Sequence, residues 1–305
     1  MARFVRYAIC ILLPLSAVAG CSHAARVSST TVSPFNGLTD QSAAESARLQ
    51  QAQNMLIAAC MHGRSYYFRV PHPLTPHGPA GNTYGLISPS IASRQGYGIL
   101  DNFVVNREDD LIGIQAQPDA HRPGFESALT GTRASATTIS LPGGGRISYN
   151  ANGCVTIAIN ELYTPAWNKI YYTVNALALH IMSGVEASGT WKKAVLIWSR
   201  CVKQHYGRTF PAPAAAAAAV NNTATAQLAN LSGDKLAHRI TYLREGEVRL
   251  ATTDALCQVQ AGLAGAAARS QRTIEQPLEK KYAQDLKAYA QDMRHANSVV
   301  DRLLS

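Results

Sequence analysis

Four widely spaced cysteines, Cys60, Cys154, Cys201 and Cys257, constrain what this chain can fold into more than any other feature. They do so because the N-terminus reads as an export signal, and an even number of cysteines in an exported chain pairs into disulfides. Residues 1–20 have the three parts of such a signal. Arg3 and Arg6 form a basic head, Tyr7 to Val18 is an almost wholly apolar core, and Val18-Ala19-Gly20-Cys21 closes it in the small-small-Cys pattern of a lipobox. The core spans about twelve residues against the roughly twenty that a membrane-crossing helix needs, and Pro14 interrupts it.

The chemistry of that pattern makes Cys21 the expected lipidation site. Its thiol would form a thioether to diacylglycerol, the small residues before it fit a signal peptidase groove, and cleavage would leave it as the N-terminus. Two or three acyl chains, palmitate among them, hold a protein at a bilayer, since each buried methylene adds about 0.8 kcal/mol. Residues 21–38 then read as the lipidated cysteine and a flexible tether, rich in Ser, Thr, Pro and Asn. The expected location is the extracytoplasmic face of the cell membrane, with membrane lipid engaged through acylated Cys21.

Cys10 leaves with the signal, so four thiols remain for the folded part. None lies in a Cys-x-x-Cys pair, which argues against a zinc knuckle or a redox dithiol. Four cysteines allow three connectivities. The sequential one, Cys60–Cys154 with Cys201–Cys257, is favoured because it gives each half of the chain its own staple. Each bridge would contribute roughly 4–5 kcal/mol in the loop-entropy model.

Of 28 basic residues two leave with the signal, so 26 face 19 acidic ones and the mature chain carries +7. That modest excess suits an anionic envelope surface, lipid head groups or wall polymer. The basic residues form no Lys/Arg run and match no reading motif, so nucleic acid is not an expected partner.

Periodicity predicts a mainly α body. A helix is expected over residues 40–62, opened by a Ser42/Glu45 capping box, with Leu49, Ala52, Leu56 and Ala59 on one face. Ser88-Pro89 opens a short helix closed by Gly96-Tyr97-Gly98, and residues 123–130 form another ended by Gly131. Alternation around Pro142-Gly143-Gly144-Gly145 predicts a β-hairpin over 137–149. Helices follow over 154–163, 167–184 and 188–205. The alanine-rich stretch 211–231 reads as either a flexible connector or an isolated alanine helix, able in both cases to bury little surface. Helices over about 246–273 and 276–304 close the chain, the last bearing a heptad seam of Tyr282, Leu286, Tyr289, Met293, Ala296, Val300 and Leu303. That seam is expected to pack on the preceding helix as an antiparallel hairpin or, alternatively, on a second copy or a partner helix. The expected organisation is a helix-rich domain over 39–210, the connector, and a C-terminal helical hairpin over 232–305 that packs on the preceding domain.

Several short motifs recur in one order: Cys60-Met61 before Tyr66-Tyr67, Tyr84-Gly85-Leu86, Gly96-Tyr97-Gly98, Leu141-Pro142-Gly143-Gly144, Gly153-Cys154, Leu162-Tyr163, Trp198-x-x-Cys201 and Asp254-x-x-Cys257. In this order and spacing the chain resembles a large set of uncharacterised exported lipoproteins of high-GC actinobacteria. Ser65 and Val202 depart from that pattern, standing where Gly and Met are usual. The resemblance implies envelope location and paired cysteines, and no activity or cofactor.

No catalytic set emerges from the residues. His62, His72, His77 and His121 are the nearest approach to a metal cluster, but no carboxylate or cysteine lies at ligand spacing beside them. Ser232-Gly233-Asp234-Lys235 matches the Ser-x-x-Lys string of serine acyl-enzymes without its companion segments, so Ser232 reads as a helix N-cap. Gly143–Gly145 lack the Lys and Ser/Thr of a phosphate loop. Glu161, Glu186, Asp109 and Asp110 are available for two-carboxylate chemistry, and Glu161 stands near Tyr163 and Trp167 as if lining a sugar groove. The expectation is a membrane-anchored, non-enzymatic binding or interaction module facing wall polymer or another envelope protein. The alternative is a cell-wall-directed hydrolase using those dispersed carboxylates.

Overall fold

Helix formation begins where a serine leaves the extended conformation. Ser42 (φ −67°, ψ 152°) accepts the Glu45 amide at 3.1 Å and opens α1, Ala43–Gly63. In this computed structural model, which describes residues 32–71, 83–103 and 117–305, nine further helices follow α1. They are α2 (Pro89–Gln95), α3 (Phe125–Thr130), α4 (Cys154–Leu162), α5 (Trp167–Ala187) and α6 (Gly189–Tyr206), then α7 (Pro213–Leu228), α8 (Gly233–Ala261), α9 (Leu263–Lys281) and α10 (Ala283–Leu304). Residues 99–103 are helical too. The expected signal segment, Cys21, His72, His77, Asp109 and Asp110 lie outside the described residues.

The chain is mainly α, with one hairpin and two disulfides. Strands β1 (Ala136–Ser140) and β2 (Arg146–Asn150) pair antiparallel with Ile139 opposite Ile147, and the turn closes with the Leu141 amide donating to the Gly145 carbonyl at 2.7 Å. Cys60, in the last turn of α1, bonds Cys154 at the first residue of α4, and Cys201 of α6 bonds Cys257 of α8; both pairs have Cα atoms 5.6 Å apart.

Local chemistry sets up the first bridge. Gly153 precedes Cys154, and a Cβ there would lie 2.4 Å from the Thr130 carbonyl carbon and 2.5 Å from the Gly131 nitrogen. Only glycine lets the start of α4 lie this close to the end of α3. At the other partner, α1 ends in a Schellman motif: the Tyr66 amide donates to Met61 O at 3.0 Å and the Ser65 amide to His62 O at 2.9 Å. Ser65 holds the left-handed position with φ 63°.

Side-chain contacts give the helix directions. Moving back along α5 from Ser188 to Thr164, the partners advance along α9 and α10: Ser188 with Ser270, Gly184 with Ile274, Trp167 with Tyr289, Thr164 with Asp292. The last two helices therefore run antiparallel to α5. Gln41, Glu45 and Arg48 meet Met293, Asn297 and Asp301, so α1 runs parallel to α10. Trp198 with Asp254 and Cys201 with Cys257 make α6 and α8 parallel, and the chain reverses at Gly262 (φ 64°, ψ 33°). Met61, Leu162, Val174, Leu177, Ile181, Trp198, Leu263 and Tyr289 are among the residues buried where these helices meet.

Four expectations shift. The last breaks fall at Gly262 and Tyr282, and Pro277 sits inside α9. Proline forfeits a single intrahelical N–H, and at this exposed position the helix continues past it. The heptad seam packs chiefly on α5 and α1. The alanine-rich stretch is a helix that buries Ala216, Ala224 and Leu228, because small side chains let α7 lie close on α8. The end of the expected tether is also packed: Phe35 is buried and its amide donates to the Glu275 carboxylate.

Candidate functional site

Helix α8 carries three buried polar side chains, Glu247, Asp254 and Gln258. Their spacings of seven and four residues put them on one face with Leu250, Ala251 and Cys257. All three hold the segment around α2. Glu247 accepts the amides of Ile99 at 2.8 Å and Leu100 at 3.3 Å; Asp254 accepts the Tyr97 hydroxyl at 2.8 Å. Gln258 accepts the Ile87 amide and donates to the Gly85 carbonyl, both at 2.9 Å. Gly96, with φ 63°, lies against Glu247, where a Cβ would meet Cγ at 2.7 Å. Helix α9 repeats the device: Gln271 accepts the Tyr84 hydroxyl at 2.9 Å and donates to the Ser33 carbonyl at 2.8 Å.

Asp254 is the centre of this arrangement. Oδ1 accepts the Trp198 indole N–H at 2.7 Å and the Gln258 amide at 2.9 Å, Oδ2 accepts Tyr97, and the residue has no exposed surface. Burial raises its pKa to about 6, against the opposing pull of hydrogen bonds from Tyr97, Gln258 and Trp198. Burial likewise raises Glu247, with the amides of Ile99, Leu100 and Tyr97 pulling the other way. These acids are saturated by fixed donors, so their chemistry is that of clamps. Asp254 stands out in the sequence only within Asp254-x-x-Cys257, and Glu247 and Gln258 not at all, although an acid on the apolar face of an amphipathic helix is a readable signal.

The aromatic residues near Glu161 form a closed cluster. Tyr163 and Trp167 stack on each other at 4.0 Å with planes 3° apart, and Tyr289 packs against Trp167 at 5.0 Å. All three are buried. Their faces are used against one another and are not presented as a platform for a sugar ring. Glu161 and Glu186 are both exposed, and α5, about 30 Å long, separates the end of α4 from Glu186. That exceeds the roughly 6.5–9.5 Å of an inverting carboxylate pair.

His62 ends α1 and His121 lies in an exposed turn, and among the described residues no group of three His, Cys, Asp or Glu side chains is placed to hold a metal. Ser232 is the N-cap residue of α8 and Lys235 is exposed beyond it. Two shallow depressions flank α9, one lined by Ser188, Thr190, Arg269, Ser270, Thr273 and Ile274, the other including Arg272 and Gln276. Neither is lined by a carboxylate, histidine or cysteine. Among the described residues no helix is long and apolar enough to cross a membrane. No protein-family model matches the chain, and no curated protein or solved structure is similar to it.

Proposed function

We propose that this chain is a lipid-anchored, extracytoplasmic lipoprotein that works as a binding or interaction module of the cell envelope. The observation that carries the reading is the lipobox Val18-Ala19-Gly20-Cys21 ahead of a body whose four remaining cysteines are all paired. Paired cysteines fit an oxidising compartment. The use of the buried acids supports the non-enzymatic side of the reading: Glu247 and Asp254 grip backbone and fixed side chains of their own fold.

Cell fractionation and a wall assay test it together. The protein should stay with membranes through a high-salt wash and be released by detergent, while Cys21→Ser should leave the membrane fraction. Purified oxidised protein should leave the muropeptide profile of peptidoglycan unchanged. Salt release of the native protein would refute the anchor, and new muropeptides would replace the binding module with the wall-directed hydrolase.

A further inference from the structure

Helix α6 presents a face that the described residues leave exposed. Trp191, Ala194, Trp198, Cys201 and Val202 are buried against the body. The opposite face carries Lys192, Lys193, Leu196, Ile197, Arg200 and Lys203, all exposed. At 100° per residue these six fall within one continuous arc. Leu196 is 59% and Ile197 50% exposed, so two large aliphatic side chains stand in water between four cations.

Among the described residues no ion pair engages them. The chain has no Asp or Glu from Ala187 to Gly233; Glu186 precedes the helix, and Asp254 on the packed α8 is fully buried. Among the described residues the ion pairs are Arg48–Asp301, Arg122–Asp119 and Arg244–Asp101, none of them on this face. The Cys201–Cys257 bridge and the Trp198–Asp254 hydrogen bond fix the buried side, so the outward side is rigidly aimed.

We propose that this face of α6 docks on the anionic head-group surface of a lipid bilayer. Cations attract acidic head groups, and aliphatic side chains between them enter the boundary between head groups and acyl chains while the long cationic stems reach outward. Exposed leucine and isoleucine favour a bilayer over a purely polar polyanion, which offers them no apolar phase. The choice of partner rests on the proposed anchor, which brings a bilayer within reach; the face adds a second, reversible contact.

Co-sedimentation of the oxidised mature chain with Cys21→Ser reads the face without any acyl chain. Vesicles of equal parts phosphatidylglycerol and phosphatidylcholine should bind it, pure phosphatidylcholine vesicles should not, and added salt should weaken the binding. Lys192→Ala, Lys193→Ala and Arg200→Ala together should cut partitioning on the order of a hundredfold, about fivefold per cation. A control with Lys192→Arg and Lys193→Arg should retain it, and circular dichroism should be the same for all forms. Leu196→Ser with Ile197→Ser should leave a residual, purely salt-sensitive attraction. Absence of binding by the parent, or full binding by the triple variant, overturns the proposal. So does an unchanged Leu196/Ile197 variant that binds a soluble polyanion as well as vesicles, which would assign the face to wall polymer. Natural protein with an unmodified Cys21 but intact vesicle binding would remove the anchor and leave this face standing.

Discussion

The Trp198 indole N–H donates to the Asp254 carboxylate at 2.7 Å, one helical turn before the bridge that joins Cys201 to Cys257. The two cysteine motifs of the second half, Trp198-x-x-Cys201 and Asp254-x-x-Cys257, are thus in register along parallel helices, cross-linked once by hydrogen bond and once by covalent bond. Tyr97, from the Gly96-Tyr97-Gly98 motif, completes the junction at the other carboxylate oxygen.

Asp254 makes stability depend on pH in a direction opposite to ordinary acid denaturation. Its folded pKa, raised by burial from 3.8 to about 6, means the fold disfavours the ionised form. That cost is fully present above pH 6 and disappears as pH falls towards 4. Asp254→Asn keeps an oxygen for Trp198 and Gln258 but does not titrate. Relative to this variant the wild type should gain up to about 3 kcal/mol between pH 7 and pH 4 in urea unfolding with disulfides intact. A wild type that loses stability against the variant on acidification would contradict the account. Asp254→Ala, which strands three buried donors, should cost about 3–5 kcal/mol at pH 7.

The two bridges should act additively. They share no residue, and they close separations of 94 and 56 residues. Replacing either pair by alanine should cost roughly 4–5 kcal/mol, slightly more for Cys60–Cys154 because its loop is longer. Denaturant titration of both double variants and the quadruple variant checks this. A quadruple variant that unfolds no more easily than one double variant would show that the bridges do not stabilise independently.

Gly153→Ala should weaken the fold by about 1–3 kcal/mol, since the added methyl meets backbone of Thr130 and Gly131 that cannot rotate away. Urea midpoints measure this, and an unchanged midpoint would mean that α3 and α4 separate without cost.

Ser65→Gly should stabilise. A side chain in the left-handed region costs roughly 1–2 kcal/mol, part of which glycine returns through its freer unfolded state, for a net gain of about 0.5–1 kcal/mol. The thermal midpoint should rise; a fall would mean that the serine hydroxyl serves the turn better than its strain harms it.

The helix-rich class and the hairpin were legible because each has a local signature: Ser42 and Ser88 as caps, Gly96 and Gly131 as stops, and alternation around Pro142. The even cysteine count pointed to two bridges, and chain order only favoured their pairing. What was not legible depends on tertiary partners. Alanines 214–219 carry no pattern of their own, and only packing in the folded body makes Ala216 a core residue. Tyr282 rather than Pro277 breaks the last helix, where the packing of α9 and α10 along α5 outweighs one missing N–H. Tyr163 and Trp167 lie four residues apart, a spacing that suits a groove wall as well as the mutual stack they form. The clamp of Asp254 on Tyr97 joins residues 157 apart, beyond the reach of any periodicity.

Mass analysis of the N-terminal peptide from membrane-extracted protein decides whether Cys21 carries the anchor. The peptide should begin at Cys21 and carry a diacylglyceryl thioether, with no free thiol at Cys60, Cys154, Cys201 or Cys257 before reduction. A peptide that retains residues before Cys21, or an unacylated Cys21 thiol open to alkylation, would contradict it.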